Sequence, residues 1–254
     1  MNKNTRSDGK RPLGATLYFN RLAQRVIAAL SVPTAEGALY EVDTRLRPSG
    51  TQGPLAVTFE SFARYQRESA WTWEHMALTR ARAVYGSAQA RAALTRITAE
   101  VLLAPRDPAK LRADVLHMRG EMAQHKPARS PLDVKLLRGG LVDLEFLIHF
   151  LQLRDGRALV PGLGDALTAL VAAGLLPANL IGAHTSLSRF LVAARLLAPD
   201  PQEPPPAARS VLAQVCDCSD WNELLACLSA ARAAIGAAWR QTFDDSLDLT
   251  AEIA

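Results

Sequence analysis

Apolar residues recur at helical spacing along most of this chain. Phe19, Leu22, Ala23, Val26, Ile27 and Leu30 fall on one face and predict a helix over Tyr18–Leu30, which Val32-Pro33-Thr34 ends. Thr58 is placed to cap a helix running to about Glu68. Trp71–Leu78 reads as helix, and Thr79–Tyr85 suits helix or strand. Near Ser87 a long helix begins and runs to about Leu103, where Pro105 stops it. Beyond Pro108, Leu111, Val115, Met118 and Met122 follow at i, i+4, i+7 and i+11. Leu141–Leu153 is apolar almost all round, which predicts a buried helix. Its polar exceptions are a stripe of Glu145, His149 and Gln152, and Asp143 in the first turn, where the helix dipole favours a carboxylate. Further helices are predicted within Pro161–Gly174, Pro177–Ala198, Ala207–Cys216 and Asp220–Gln241. Pro199–Pro206 reads as a stiff linker. Met1–Gly14 and Asp244–Ala254 read as a disordered start and a frayed acidic end.

Three stretches depart from the helical period. Ala38–Leu46 alternates as a strand does, which sets Glu41, Asp43, Arg45 and Arg47 on one face and Val42, Thr44 and Leu46 on the other. Pro48-Ser49-Gly50 turns the chain after it. Leu55–Thr58 reads as a short strand. Leu132–Leu137 reads as another, with Gly139-Gly140 turning it into the buried helix through a positive φ at Gly140. Two acids and two arginines on one face suit a metal-bound polyphosphate, since carboxylates hold Mg²⁺ and guanidinium forks hold phosphate. The same pattern also suits a half-exposed strand whose charges pair in water.

Charge and composition narrow the classes. The net charge is +4 and is carried mainly by arginine, because lysine occurs only at positions 3, 10, 110, 126 and 135. No dense basic tract is interleaved with aromatics, so no nucleic-acid partner is expected. Cys216, Cys218 and Cys227 are odd in number and make no CxxC pair, as expected of reduced thiols in the cytoplasm. The polar start carries no signal-peptide core, and no apolar run reaches the ~18 residues of a membrane span. Trp71 and Trp73 are expected in the core, with stacking on a base as the alternative, and Glu74 and Arg82 on solvated helix faces, with lining of a cleft as theirs. His75, His149 and His184 lack metal-ligand spacing.

Four segments together resemble the glutamine synthetase adenylyltransferase family: YEVDTRLRPSG from Tyr40, FARYQRE from Phe62, AWTWEHMALTRARAVYG from Ala70, and DVKLLRGGLVDLEFL from Asp133. Such enzymes carry two nucleotidyltransferase-type halves. One adds AMP to a tyrosine of glutamine synthetase and the other removes it by phosphorolysis. Ser49 after the proline and the AWTWEHMAL text are more similar to the adding half. The resemblance implies a mainly α fold. Its first part, 1–86, would be the remnant of an α+β nucleotidyltransferase domain. Its second part, 87–254, would be an all-helical domain similar to that of the uridylyltransferases acting on the PII signal protein. It implies ATP as substrate, Mg²⁺ as cofactor, and glutamine synthetase and a PII-type protein as partners. Asp43 would be the catalytic, metal-binding carboxylate, with Arg45, Arg47 and Glu41 beside it to hold phosphate or fix the carboxylate. Lys135, Asp143 and Glu145 lie in the family's second motif without an assigned role. The family's Gly-Ser turn and Asp-x-Asp pair do not precede Asp43 here, so the expectation is a C-terminal part of an adenylyltransferase half, inactive by itself. The alternative is a helical module that docks glutamine synthetase or a PII-type regulator and does no chemistry.

Overall fold

The computed structural model describes residues 6–198 and 203–250; the first half of the expected proline linker lies outside them. Ten α-helices carry the fold, and among the described residues there is no strand, only the isolated bridges Arg6↔Gly14 and Thr34↔Gly37. The chain divides into two compact units, Met1–Ala77 with Arg82–Val101, and Leu78–Ala81 with Leu102–Ala254.

The first unit contains α1 (Ala15–Ser31), α2 (Phe59–Glu68), α3 (Thr72–Leu78) and most of α4 (Ala88–Leu102). Thr58 caps α2 by accepting from Ser61 N–H, as expected. The side-chain amide of Asn20 on α1 zips onto both backbone groups of Ala56 at 3.1 Å, which leaves Leu55–Thr58 an irregular connection instead of a strand. This unit has a thin interior, where Ala63, Met76, Ile97 and Val101 are buried but no residue of α1 is. Trp71 is 70% exposed, contrary to the expectation of a core position. Residues 6–14 close a small loop, with Ser7 Oγ accepting from Leu13 N–H, where disorder was expected.

The second unit holds α5 (Pro108–His125), α6 (Leu141–Asp155), α7 (Leu163–Ala172), α8 (Asn179–Leu197), α9 (Pro206–Val215) and α10 (Trp221–Phe243). Helix α6 is its axis: eleven of its fifteen positions, Leu141–Leu144 and Leu147–Leu153, are buried, and α5, α7, α8 and α10 pack against it. Phe150 of α6, Trp239 and Phe243 stack with ring centroids 4.4–4.6 Å apart. The segment 244–250 is not frayed. Leu249 lies against Gly139 and Gly236, its carbonyl accepts from Arg232, and Asp245 accepts from the Trp239 indole at 3.3 Å.

The α5–α6 connection is also not the expected strand. Residues 131–140 run through tight turns, because their carbonyls are needed elsewhere. Val134 O accepts from Leu141 N–H and Lys135 O from Val142 N–H, so the loop wraps the start of α6 and satisfies amides that no helix can satisfy internally. Positive φ occurs at Gly139 (+74°), while Gly140 has φ −84° and needs glycine for another reason. A Cβ there would come within 2.5 Å of Val134 O and 2.7 Å of Leu137 O. Gly140→Val is therefore expected to cost about 2–4 kcal/mol through forced backbone displacement, read as a lower urea midpoint.

Candidate functional site

The loop 37–53 carries the residues singled out from the sequence. Its extended segment has no partner strand among the described residues, so local interactions fix its course. Asp43 Oδ1 accepts from the backbone N–H of Arg45 (2.9 Å), an Asx turn that bends the chain two residues on. The guanidinium of Arg45 then folds back on the same carboxylate, with Nη2 at 2.6 Å from Oδ2 and Nε at 2.9–3.0 Å from both oxygens. The side chains of Asp43 and Arg45 are 56% and 72% exposed. The bonds from the Arg45 side chain, and then from its backbone, hold the Asp43 carboxyl down at about 2. It is a solvent-facing, fully ionised carboxylate at neutral pH.

Arg47 does not share that face. Its Nε donates to Gly53 O (2.9 Å), Nη1 to both oxygens of Thr44 (2.7 and 2.8 Å), and Nη2 to Thr51 O (3.0 Å). The fork is spent on closing the turn after Pro48, where Ser49 and Gly50 both take positive φ. This corrects the four-residue face: a strand would have kept Glu41, Asp43, Arg45 and Arg47 together, but the turn separates Arg47 from the pair. Glu41 is exposed and makes no ion pair among the described residues. Close by in sequence, Glu74 is buried instead of solvated. It accepts from Tyr65 Oη (2.9 Å) and from Trp71 N–H (2.9 Å), which ties α2 to the start of α3.

The second motif turns out to be architecture. Asp143 is fully buried and meets Arg119 of α5, itself 2% exposed, with Nε to Oδ1 at 2.5 Å. Asp143 also accepts from Gly139 N–H at 2.6 Å, and Arg119 donates to Leu136 O at 3.2 Å. The Asp143–Arg119 pair fastens the turn 136–139 between α5 and α6. Arg119 was not singled out from the sequence, but it continues the buried row Leu111-Val115 at i+4, a position where charge is anomalous. Lys135 is exposed, and Glu145 lies 3.7 Å from Arg80.

His149 and Gln152 of the α6 stripe face inward. The Gln152 amide donates to Ala158 O (2.6 Å), which turns its Oε1 toward His149 Nδ1 at 2.8 Å; Thr79 Oγ1 lies 2.9 Å from the same nitrogen. Nδ1 therefore carries the proton, and Nε2 is a buried lone pair with no partner among the described residues. Burial, aided by the Arg80 charge, holds the imidazole neutral down to about 4. Since the unfolded chain protonates near 6.5, it binds the extra proton first. Stability is then lost as pH falls from about 6.5 toward 4, by about 3 kcal/mol in full. His149→Gln is expected to flatten this slope, measured as urea midpoints of both proteins between pH 7 and 4.5.

Comparison with known proteins adds what geometry alone does not. Residues 1–97 match the family described as glutamate-ammonia ligase adenylyltransferase. The chain is 40% identical over 97% of its length to a bifunctional glutamine synthetase adenylyltransferase/adenylyl-removing enzyme of Xanthobacter autotrophicus, covering 26% of that protein. The Rhizobium meliloti protein of the same name is 44% identical over 86% of this chain and 23% of its own. That of Brucella suis is 55% identical over 58% of this chain and 15% of its own. The chain thus spans about a quarter or less of these relatives. Among the described residues, no helix is long and apolar enough to cross a membrane.

Proposed function

The chain belongs to the glutamine synthetase adenylyltransferase family, and on that premise we propose that it forms part of an enzyme moving AMP from ATP to a tyrosine of glutamine synthetase. In the reverse sense, phosphate takes the AMP off again as ADP. The observation that carries this reading is the 40% identity to the bifunctional relative over 97% of the chain. The exposed carboxylate of Asp43 supports it locally.

In this reading Asp43 is the metal-binding carboxylate of the transfer site. Its chemistry fits Mg²⁺, which binds through one or two carboxylates together with substrate phosphates. When bound, the ion neutralises charge on the triphosphate. Arg45 holds the carboxylate ionised and oriented, and its guanidinium fork matches a phosphate as well as it matches a carboxylate. Arg47 acts one step removed, by holding the turn that presents Asp43. Glu41 is the second exposed acid of the loop, placed to assist Asp43 or to pair with an incoming cation. Glutamine synthetase is the proposed macromolecular substrate, the cytoplasm the proposed compartment, and a PII-type protein the proposed regulator.

The decisive experiment is a chimera in which this chain replaces the matching segment of the Xanthobacter autotrophicus relative. Label from α-labelled ATP is expected on glutamine synthetase and, on adding phosphate, in ADP. A folded chimera that does neither would overturn the assignment. The second reading, a helical module that docks a partner without chemistry, draws on the second unit, whose motif carboxylate Asp143 is sealed in the core. It predicts that the second unit binds glutamine synthetase whether or not Asp43 is intact.

A further inference from the structure

The second unit has a half-open groove of about 710 Å³ between the end of α5, the turn-rich connection to α6, and the last turns of α8. None of the residues assigned above to AMP transfer lines it. Its volume is in the range of small-molecule sites, which run from a few hundred to about 1,000 Å³. Its floor is apolar: Phe190 is buried, and Leu132, Leu136 and Leu191 are half-buried beside it. Its rim carries four cations, Lys126, Arg129 and Lys135 from the connection and Arg195 from α8. None of the four makes an ion pair with a described residue. The single lining carboxylate, Asp133, is already engaged by the backbone N–H groups of Leu136 (3.1 Å) and Arg129 (3.4 Å).

Four cations against one carboxylate in a single concavity are a large share of the charge imbalance of a chain whose net charge is only +4. Solvated surface charge would be interspersed with acids, as it is along α4, where Glu100 bridges to Arg67 and Arg96. Here one acid, Asp133, stands against four cations, and the cations surround a surface that water does not solvate well. The complement of such a groove is a small molecule with several negative charges and a flat or apolar body. Single carboxylates are too weakly charged for four partners. An extended acidic peptide would use the rim and leave the floor unfilled. We propose that this groove binds an organic polyphosphate of the nucleoside class, with its phosphates on Lys126, Arg129, Lys135 and Arg195 and its ring system against Phe190 and Leu136.

The probe is ATP in the presence of a chelator, titrated calorimetrically into the whole chain, with adenosine, pyrophosphate and a poly-glutamate peptide alongside. Saturable ATP binding is expected below about 1 mM, weakening as salt is raised. The double reversal Lys135→Glu with Arg195→Glu, at exposed positions that leave the helical spectrum intact, should weaken it about a hundredfold, since each removes a charge-assisted bond. Asp43→Asn should leave it unchanged, which separates the groove from the proposed transfer site. The proposal is overturned by absent ATP binding, or by binding that Asp43→Asn removes and the double reversal spares. Pyrophosphate binding as tightly as ATP would refute the role of the apolar floor. Poly-glutamate binding without ATP binding would reassign the groove to an acidic protein partner.

Discussion

Asparagine in place of Asp43 is expected to lower AMP transfer by the chimeric enzyme on the order of a thousandfold, a loss comparable to removing a preorganised charge at a reacting phosphate. The substitution keeps the shape of the side chain and one acceptor oxygen, so the turn onto Arg45 N–H can still form. What disappears is the charge, which Arg45 holds in place down to about pH 2. Because the side chain is largely exposed, the melting transition should stay where it is. Two controls sharpen the reading. Arg45→Ala keeps the carboxylate but frees it, and should cost less than Asp43→Asn. The acid limb of the pH–rate profile should not belong to Asp43. Its folded pKa is depressed, so its ionisation is complete above about pH 4 and is lost only as pH falls toward 2. A variant with near-normal turnover at saturating Mg²⁺ would remove Asp43 from the site.

The second large effect concerns folding. Asp143→Ala is expected to destabilise the second unit by about 3–5 kcal/mol, because it strands the Arg119 guanidinium in a dry core and frees the Gly139 amide. Arg119→Met should cost a similar amount for the opposite reason, an orphaned carboxylate. The pair removed together, Arg119→Met with Asp143→Ala, should cost clearly less than the sum of the two, since no unpaired charge remains. Urea unfolding of the four proteins closes the cycle. Additive losses would show that the two side chains act independently and that the 2.5 Å contact does not organise the turn.

The helices were legible in the sequence from their apolar spacing and the prolines that bound them. Thr58, read as a cap in the sequence, caps α2, while Asp107 and Asp220, which were not singled out, cap α5 and α10. The expected strands did not form among the described residues, and the reason is physical. Alternation in Ala38–Leu46 records which side chains could share a face, but a strand exists only where a second strand takes up its amides. With no partner, Asp43 supplied a local acceptor and bent the chain. In Leu132–Leu137 the apolar run was real, yet its carbonyls were claimed by the first amides of α6. Charge hid the other half of the design. Glu74 read as a solvated helix charge, Asp143 as a first-turn carboxylate at the helix dipole, and Arg119 was not singled out, because sequence shows a charge but not the burial that turns it into a fastener. Asp43 and Arg45 were found together because their pairing is local, two residues apart.

The return of the chain after α10 has a practical corollary. Leu249 rests on Gly139 and Gly236, more than a hundred and more than ten positions away respectively, with its methyl groups about where side chains at those glycines would go. Engineers who trim the polypeptide back past position 249, or graft a bulky reporter directly onto that point, would be editing the keystone under the first turn of α6. A fusion partner belongs on the Arg6 side, ahead of α1, a helix with no buried residue.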